Sequence, residues 1–163
     1  MIKTGEVIDK MITYYAGDPR RIQHFLKVYG FAKAIGEVEQ VDNELQEIIE
    51  AAAVVHDIGI KVSEEKYQSS AGEYQQIEGP PVAKDMLTEL GYDEDFIARV
   101  CYLIAHHHTY HDIDGLDYQI LVEADFLVNI SEDEISAAAI ESIKNKIFKT
   151  KTGLEFLTMM YQV

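Results

Sequence analysis

An apolar segment that ends in two adjacent polar side chains constrains this chain more than any other feature. Residues 48–60 read IIEAAAVVHDIGI, and almost every side chain before His56 and Asp57 is apolar. Such a segment is expected to lie in the core, and a buried polar group costs free energy unless it has a partner. The pair therefore predicts either a structural hydrogen bond or a metal site.

The net charge of the chain limits what it can bind. The 163 residues carry a formal net charge of −15, and the arginines are Arg20, Arg21 and Arg99. This balance repels nucleic-acid backbones, so we expect no nucleic-acid polymer as a partner. Small phosphorylated substrates stay compatible if cations in the site balance the phosphate. The sequence predicts no particular oligomeric state.

Length and the absence of sorting features predict one cytoplasmic domain. A chain of 163 residues is long enough for one domain with a substantial core. No apolar run approaches the ~20 residues of a membrane span. Glu6 and Asp9 lie where a secretory signal needs an apolar segment, and Cys101 is the single cysteine. We therefore expect one domain over residues 1–163, in the cytoplasm and without membrane contact.

The hydrophobic pattern is helical almost throughout, which predicts an all-α bundle of about seven to eight helices. The polar residues 61–76 are predicted to form a long loop, and Glu78–Pro81 to open the next helix. Ser131 and Glu134 have the spacing of a capping box for a later helix. Glu123 lies off the apolar stripe of its own helix and is expected to face solvent.

Further imidazoles and carboxylates fall on the predicted buried faces of other helices. His24 lies on an apolar stripe, as does Asp125, and His107 and His108 continue two adjacent apolar stripes. His106 instead continues the more polar side of the same helix. Each residue alone would be explained by structural hydrogen bonding. Convergence of all of them on a common cation is the better explanation, because metal sites in helical bundles are built this way.

These residues give the chain a resemblance to the HD-domain metal-dependent phosphohydrolases. The resemblance rests on the order His24, His56-Asp57, Asp125 and on the stretches RIQHFLKVYGFAKAIG, AAAVVHDIGI and LVEADFLVN. It covers roughly residues 18–130 and implies an HD-type helical bundle, with residues 131–163 packed on it as C-terminal helices. It also implies that His24, His56, Asp57 and Asp125 bind one divalent metal ion.

Some members of that family hold two metal ions and add two histidines between the His-Asp pair and the last aspartate. This chain has Glu78-Gly79-Pro80 at the first of these places and HHHT, residues 106–109, at the second. The resemblance thus makes Glu78, His107 and His108 candidate ligands of a second ion. A carboxylate favours harder metals, although Glu78 is equally explained as a helix-start residue facing the dipole. We expect one or two divalent ions, of Mn, Fe, Ni, Co or Zn.

The resemblance implies hydrolysis of a small nucleotide-like phosphoester or phosphoanhydride, and a bound divalent ion would supply the activated water. Asp57 is the candidate catalytic carboxylate, and Lys61 is the first candidate for a catalytic cation because it follows the metal motif. Arg20, Arg21 and Lys61 are candidates for binding the phosphate, whereas Lys66 is expected to be ordinary surface charge. Two alternatives are open: a diiron HD-type oxygenase, and a non-catalytic module that binds a metal or a nucleotide.

Overall fold

The computed structural model describes residues 1–163, and every regular element in it is an α-helix. The prediction of an all-α fold is confirmed, although the structure has nine helices rather than seven or eight. No helix combines the length and the apolar character needed to cross a membrane. The helices are α1 (Thr4–Tyr14), α2 (Pro19–Val38), α3 (Asn43–Val55), α4 (Ile60–Tyr67), α5 (Gly72–Leu90), α6 (Glu94–His106), α7 (Leu116–Glu132), α8 (Ala137–Lys146) and α9 (Lys151–Tyr161).

Helix α3 lies at the centre of the bundle and packs against α1, α2, α6 and α7. It begins after Asp42, whose carboxylate accepts a hydrogen bond of 2.8 Å from the Leu45 N–H group. Every residue from Ile48 to Val55 is buried. The small side chains of residues 51–53 let the neighbouring helices approach closely. The apolar segment therefore delivers His56 and Asp57 into the core at the end of the central helix.

The predicted loop over residues 61–76 is wrong, because α4 and the first turn of α5 occupy most of it. Helix α4 turns Ile60 and Ser63 inward and ends where Gln68 adopts a left-handed conformation with φ 53°. Pro80 and Pro81 lie inside α5 rather than at its start. Prolines lack the N–H group that would bond the carbonyls of residues 76 and 77, and both of these residues are exposed, so water can satisfy them.

The predicted capping box of Ser131 and Glu134 is also wrong. Helix α7 continues through Ser131 to Glu132, and the next helix begins after Ser136. The Ser136 hydroxyl accepts a hydrogen bond of 3.3 Å from the Ala139 N–H group. Helix α7, with Ile130 as its last buried residue, therefore extends beyond the point where the polar sequence suggested a break.

Glu123 is fully buried instead of facing solvent. Its carboxylate accepts hydrogen bonds from the Thr150 hydroxyl (2.6 Å), from the Thr150 N–H group (3.0 Å) and from the Lys149 N–H group (2.9 Å). The C-terminal segment covers this face of α7, and the pattern of α7 alone does not contain that information. Glu123 thereby ties α7 to the start of α9.

Candidate metal centre

Three segments of the fold bring the four residues predicted for the first ion together in the core. His24 lies on α2, His56 and Asp57 follow α3, and Asp125 lies on α7. One potential ligand atom from each residue lies within 4.8 Å of all the others; His56, Asp57 and Asp125 are buried, and the side chain of His24 is 12% exposed. We call these four residues the first cluster.

The distances in the first cluster are short. The His24 Nε2 atom lies 3.2 Å from Asp57 Oδ2 and 3.4 Å from Asp125 Oδ1. The His56 Nε2 atom lies 3.2 Å and 3.3 Å from the same two oxygen atoms. The two Nε2 atoms are 3.1 Å apart. Two imidazole nitrogens and two carboxylate oxygens thus face one point.

Hydrogen bonds on the far side of each imidazole fix its orientation. The His56 Nδ1 atom lies 2.7 Å from the Ala53 carbonyl oxygen, and the His24 Nδ1 atom lies 2.7 Å from Glu132 Oε1. These oxygens only accept, so Nδ1 donates, and the Nε2 atom of a neutral ring presents its lone pair to the cluster. Two nitrogen lone pairs that face each other at 3.1 Å repel unless one nitrogen carries a proton or both bind a metal ion.

The pKa values of the four residues also indicate that the first cluster favours bound positive charge. Burial alone would lower the pKa of His24, but the adjacent Asp125 and Asp57 carboxylates outweigh it and raise that pKa to about 9. Burial likewise disfavours charged His56, yet the Asp57 and Asp125 carboxylates raise its pKa well above the usual value. Burial would raise the pKa of both carboxyl groups, and the adjacent histidines instead hold each of them low.

The first cluster fits a divalent cation. Asp125 Oδ1 is buried without a hydrogen bond of acceptable geometry, although it lies 3.3 Å and 3.4 Å from the two Nε2 atoms. An ion at the common point would satisfy this oxygen, and its charge would balance the two carboxylates. Nitrogen and oxygen donors together suit Mn, Fe, Co, Ni and Zn, so the geometry leaves the metal open.

A second cluster shares Asp57 with the first. Ligand atoms of Asp57, His107 and His108 lie within 4.8 Å of one another. Asp57 Oδ1 is 3.1 Å from His107 Nε2, while the His107 Nδ1–H group donates to the Ile104 carbonyl at 2.7 Å. Burial and the neighbouring His107 lower the pKa of His108 to about 4, so His108 is neutral at pH 7. Asp57 thus directs its Oδ2 atom toward the histidines of the first cluster and its Oδ1 atom toward His107 of the second.

Glu78 belongs to neither cluster. Its carboxylate accepts hydrogen bonds from Lys66 Nζ (3.1 Å and 3.2 Å) and from the Tyr67 hydroxyl (3.0 Å). Lys66, expected to be plain surface charge, is thus the partner of Glu78. The α4–α5 contact needs glycine, because a Cβ atom on Gly59 would lie 2.6 Å from the Gly79 nitrogen. The role of Glu78 as a metal ligand stays a prediction.

His106 faces away from both clusters. Its Nδ1–H group donates to the Tyr102 carbonyl at 2.8 Å, and its ring stacks on the Tyr102 ring at 4.2 Å between centroids. The Tyr118 hydroxyl lies 2.7 Å from the His106 carbonyl and 2.5 Å from the Thr109 carbonyl. Tyr118 therefore closes the turn that carries His107 and His108.

A cavity of about 440 Å³ opens beside the first cluster. Both predicted arginines line it, but Lys61 does not. The Lys61 Nζ group donates to the Tyr14 carbonyl at 3.0 Å and lies 4.7 Å from the centroid of the Tyr14 ring. No contact in the structure supports the predicted catalytic or phosphate-binding role of Lys61, and both roles stay predictions. The cavity is lined by Asp18, Arg20, Arg21, His24, Phe25, Asp57, Ile60, Asn129 and Glu132.

The sequence reasoning missed two side chains of α7 at this site. Asn129 and Glu132 line the cavity, and Glu132 also accepts the hydrogen bond from His24. They follow Asp125 by four and seven residues, so one helix face carries all three. That spacing is the pattern from which the two residues could have been predicted.

The fold and the site together define an all-helical protein with a buried cluster of two histidines and two aspartates that fits a divalent cation. The chain belongs to the HD-domain family, because the family model of the HD domain matches residues 21–142. The predicted family is thereby confirmed.

One solved structure supports the assignment. The chain is similar to the crystal structure of a predicted HD superfamily hydrolase from an uncultured Thermotogales bacterium, with 25% sequence identity and a TM-score of 0.66. The similarity covers 96% of this chain and 82% of that chain. A comparison with curated proteins finds no match.

Proposed function

We propose that this protein is a metal-dependent phosphohydrolase that acts on a small phosphorylated substrate, with a nucleotide as the first candidate. The observation that carries the proposal is that His24 and Asp57 belong both to the first cluster and to the cavity wall. A substrate in the cavity would therefore reach the atoms that face the cation. The HD-domain family and the similarity to a predicted hydrolase support a hydrolytic reaction.

The residues around the cavity can take different roles in hydrolysis. When bound, a divalent ion lowers the pKa of water and polarises a phosphoryl oxygen. The Asp57 carboxylate, which lines the cavity, can accept a hydrogen bond from the attacking water and orient it. The Arg20 guanidinium can bind phosphate oxygens and offset the charge that grows on them. Phe25 and Ile60 are the apolar residues of the cavity wall.

A phosphate-release screen tests the proposal. Protein stripped of metal is reloaded separately with Mn, Fe, Co, Ni or Zn and assayed against nucleotides, sugar phosphates and simple phosphate esters. We expect release that requires an added metal and is lost on chelation. Lack of release from every substrate by protein with verified metal content would overturn the proposal.

The same screen separates the two alternatives. Oxygen uptake by the iron-loaded protein without phosphate release would support a diiron oxygenase. Tight binding of a nucleotide without turnover, by protein that retains its metal, would support a non-catalytic module.

A further inference from the structure

We propose that the cavity selects phosphomonoesters of polar alcohols over di- and triphosphates. This inference rests on the proposed phosphohydrolase function and narrows its substrate class. It is carried by the charges and the uncommitted polar groups of the cavity wall.

Only one cation of the cavity wall is free of a partner inside the protein. Arg21 pairs with Glu64 and lies 3.8 Å from Asp18, so its charge is already shared. Arg20 is exposed and makes no ion pair or side-chain hydrogen bond. A single guanidinium can hold one phosphate group through two parallel hydrogen bonds.

The rest of the wall is unfavourable for additional negative charge. With one divalent ion bound in the first cluster, the Asp57 and Asp125 carboxylates balance its charge, so this cluster adds no net positive charge to the wall. Asp18 and Glu132 line the same cavity. Glu132 accepts a hydrogen bond from His24 and lies 3.5 Å from Lys27 Nζ, while Asp18 shares Arg21 with Glu64. A second or third phosphate group would meet carboxylates without a further free cation, and like charges at short range repel.

The alcohol part of the substrate would meet polar groups rather than an aromatic face. Phe25 and Ile60 are the apolar residues of the wall, and both are buried, with 0% and 9% of their surface exposed. The Asn129 side-chain amide lines the cavity and makes no hydrogen bond within the protein. An amide both donates and accepts, which suits a hydroxyl group. Nucleoside monophosphates and sugar phosphates share this chemistry.

The test compares kcat/KM for adenosine mono-, di- and triphosphate and for ribose 5-phosphate at a fixed concentration of free metal. We expect the monophosphate to exceed the triphosphate by about tenfold or more, the effect of one unpaired charge near the site. Turnover of ribose 5-phosphate as well as of the nucleotide supports recognition of the polar alcohol. A triphosphate that is hydrolysed as fast as the monophosphate overturns the proposal.

Two variants assign the selection to particular residues. Arg20→Gln should lower kcat/KM for the monophosphate about tenfold or more without changing the metal content. Asp18→Asn should narrow the preference for the monophosphate about threefold, because the cavity wall loses one negative charge while Arg21 stays paired with Glu64. Asp42→Asn is the matched control, since Asp42 and Asp18 both cap a helix and Asp42 is not part of the cavity wall. Equal preference in wild type, Asp18→Asn and Asp42→Asn would contradict the charge argument.

A binding measurement keeps this inference separate from the proposed function. If no substrate releases phosphate, the hydrolase proposal fails while selection can still be measured by equilibrium dialysis of the metal-loaded protein. Tighter binding of adenosine monophosphate than of the triphosphate supports the inference, and the reverse order overturns it. Metal content is determined after dialysis, so that loss of metal to the triphosphate is not counted as weak binding.

Discussion

The two clusters that share Asp57 differ in how completely the protein prepares them. The first cluster takes residues from three segments, and Glu132 and the Ala53 carbonyl orient its histidines. The second cluster adds two adjacent histidines from one turn to Asp57; the Ile104 carbonyl orients His107, and the candidate ligand Glu78 is hydrogen-bonded to Lys66 instead. A pre-oriented site loses less free energy on binding. We therefore expect a first ion to bind more tightly than a second.

The largest effect should come from removing the shared carboxylate. Asp57→Ala removes one oxygen from each cluster, so we expect loss of both ions and of phosphate release. The loss of affinity should exceed the roughly 100-fold reached when only an outer partner of a ligand is removed. Elemental analysis and the release assay measure the two effects. Asp85→Ala changes an exposed aspartate elsewhere on α5 and should alter neither. A metal-loaded, active Asp57→Ala protein would contradict the shared role.

The next effect concerns the hydrogen bond behind His24. Glu132→Gln keeps an acceptor for the Nδ1–H group but removes the negative charge that makes the imidazole more basic. We expect the affinity for the first ion to fall about tenfold, and about 100-fold in Glu132→Ala. Competition with a metallochromic chelator measures it. Glu134→Gln alters an exposed charge two residues away and is the control. Equal affinities in wild type and Glu132→Ala would mean that the hydrogen bond has no bearing on the metal.

The third prediction uses pH to compare the metal-free and the metal-loaded states. In the metal-free protein the pKa of His24 is about 9, above the ordinary 6.5, so the folded state holds a proton that the unfolded state releases. Its contribution to stability is complete below about pH 6.5 and is lost as pH rises through about 9.

The free energy of unfolding of metal-free protein should thus fall between these pH values, by at most about 1.4 kcal/mol per pH unit for each group. Metal-loaded protein should not show this fall, because the ion replaces the protons. Urea unfolding at pH 6.5, 7.5, 8.5 and 9.5 measures both states. His24→Gln should make the metal-free curve less steep, with the contribution of His56 left, and parallel curves for the two wild-type states would contradict the prediction.

The first cluster could be predicted because its residues interrupt apolar helix faces. His24 and Asp125 lie where the periodicity demands an apolar side chain, and the pair after α3 ends a run that has to be buried. Each of these irregularities is local in sequence. In a helical bundle the local hydrophobic pattern determines which residues are buried. The all-α fold and the main residues of the site could therefore be predicted from the sequence.

The parts that could not be predicted depend on contacts between distant segments. Helix α4 buries only Ile60 and Ser63, so its periodicity was too weak to distinguish it from a loop. The pairing of Lys66 with Glu78 depends on how α4 packs against α5. Glu132 accepts a hydrogen bond from a residue 108 positions away, which only the packing of α2 on α7 creates.

The smallest effect should come from Lys66, which pairs with Glu78, the candidate ligand that belongs to neither cluster. The Lys66 side chain is 58% exposed, and such exposed pairs contribute ~1 kcal/mol or less. Lys66→Met should free the Glu78 carboxylate and raise the affinity for a second ion up to about fivefold, if Glu78 is a ligand. Lys84→Met, which changes an exposed lysine on α5, is the control. Metal titrations followed by elemental analysis measure the stoichiometry.

Glu78→Ala completes the comparison, because it removes the carboxylate that Lys66 holds. If Glu78 binds the second ion, the stoichiometry should fall from two ions toward one, while the first cluster keeps its ion. An unchanged stoichiometry in Glu78→Ala, together with an unchanged second affinity in Lys66→Met, would leave Glu78 as a residue that joins α5 to α4. In that case the second cluster consists of Asp57, His107 and His108 alone. It should then bind its ion more weakly than the first cluster because it offers three protein ligands rather than four.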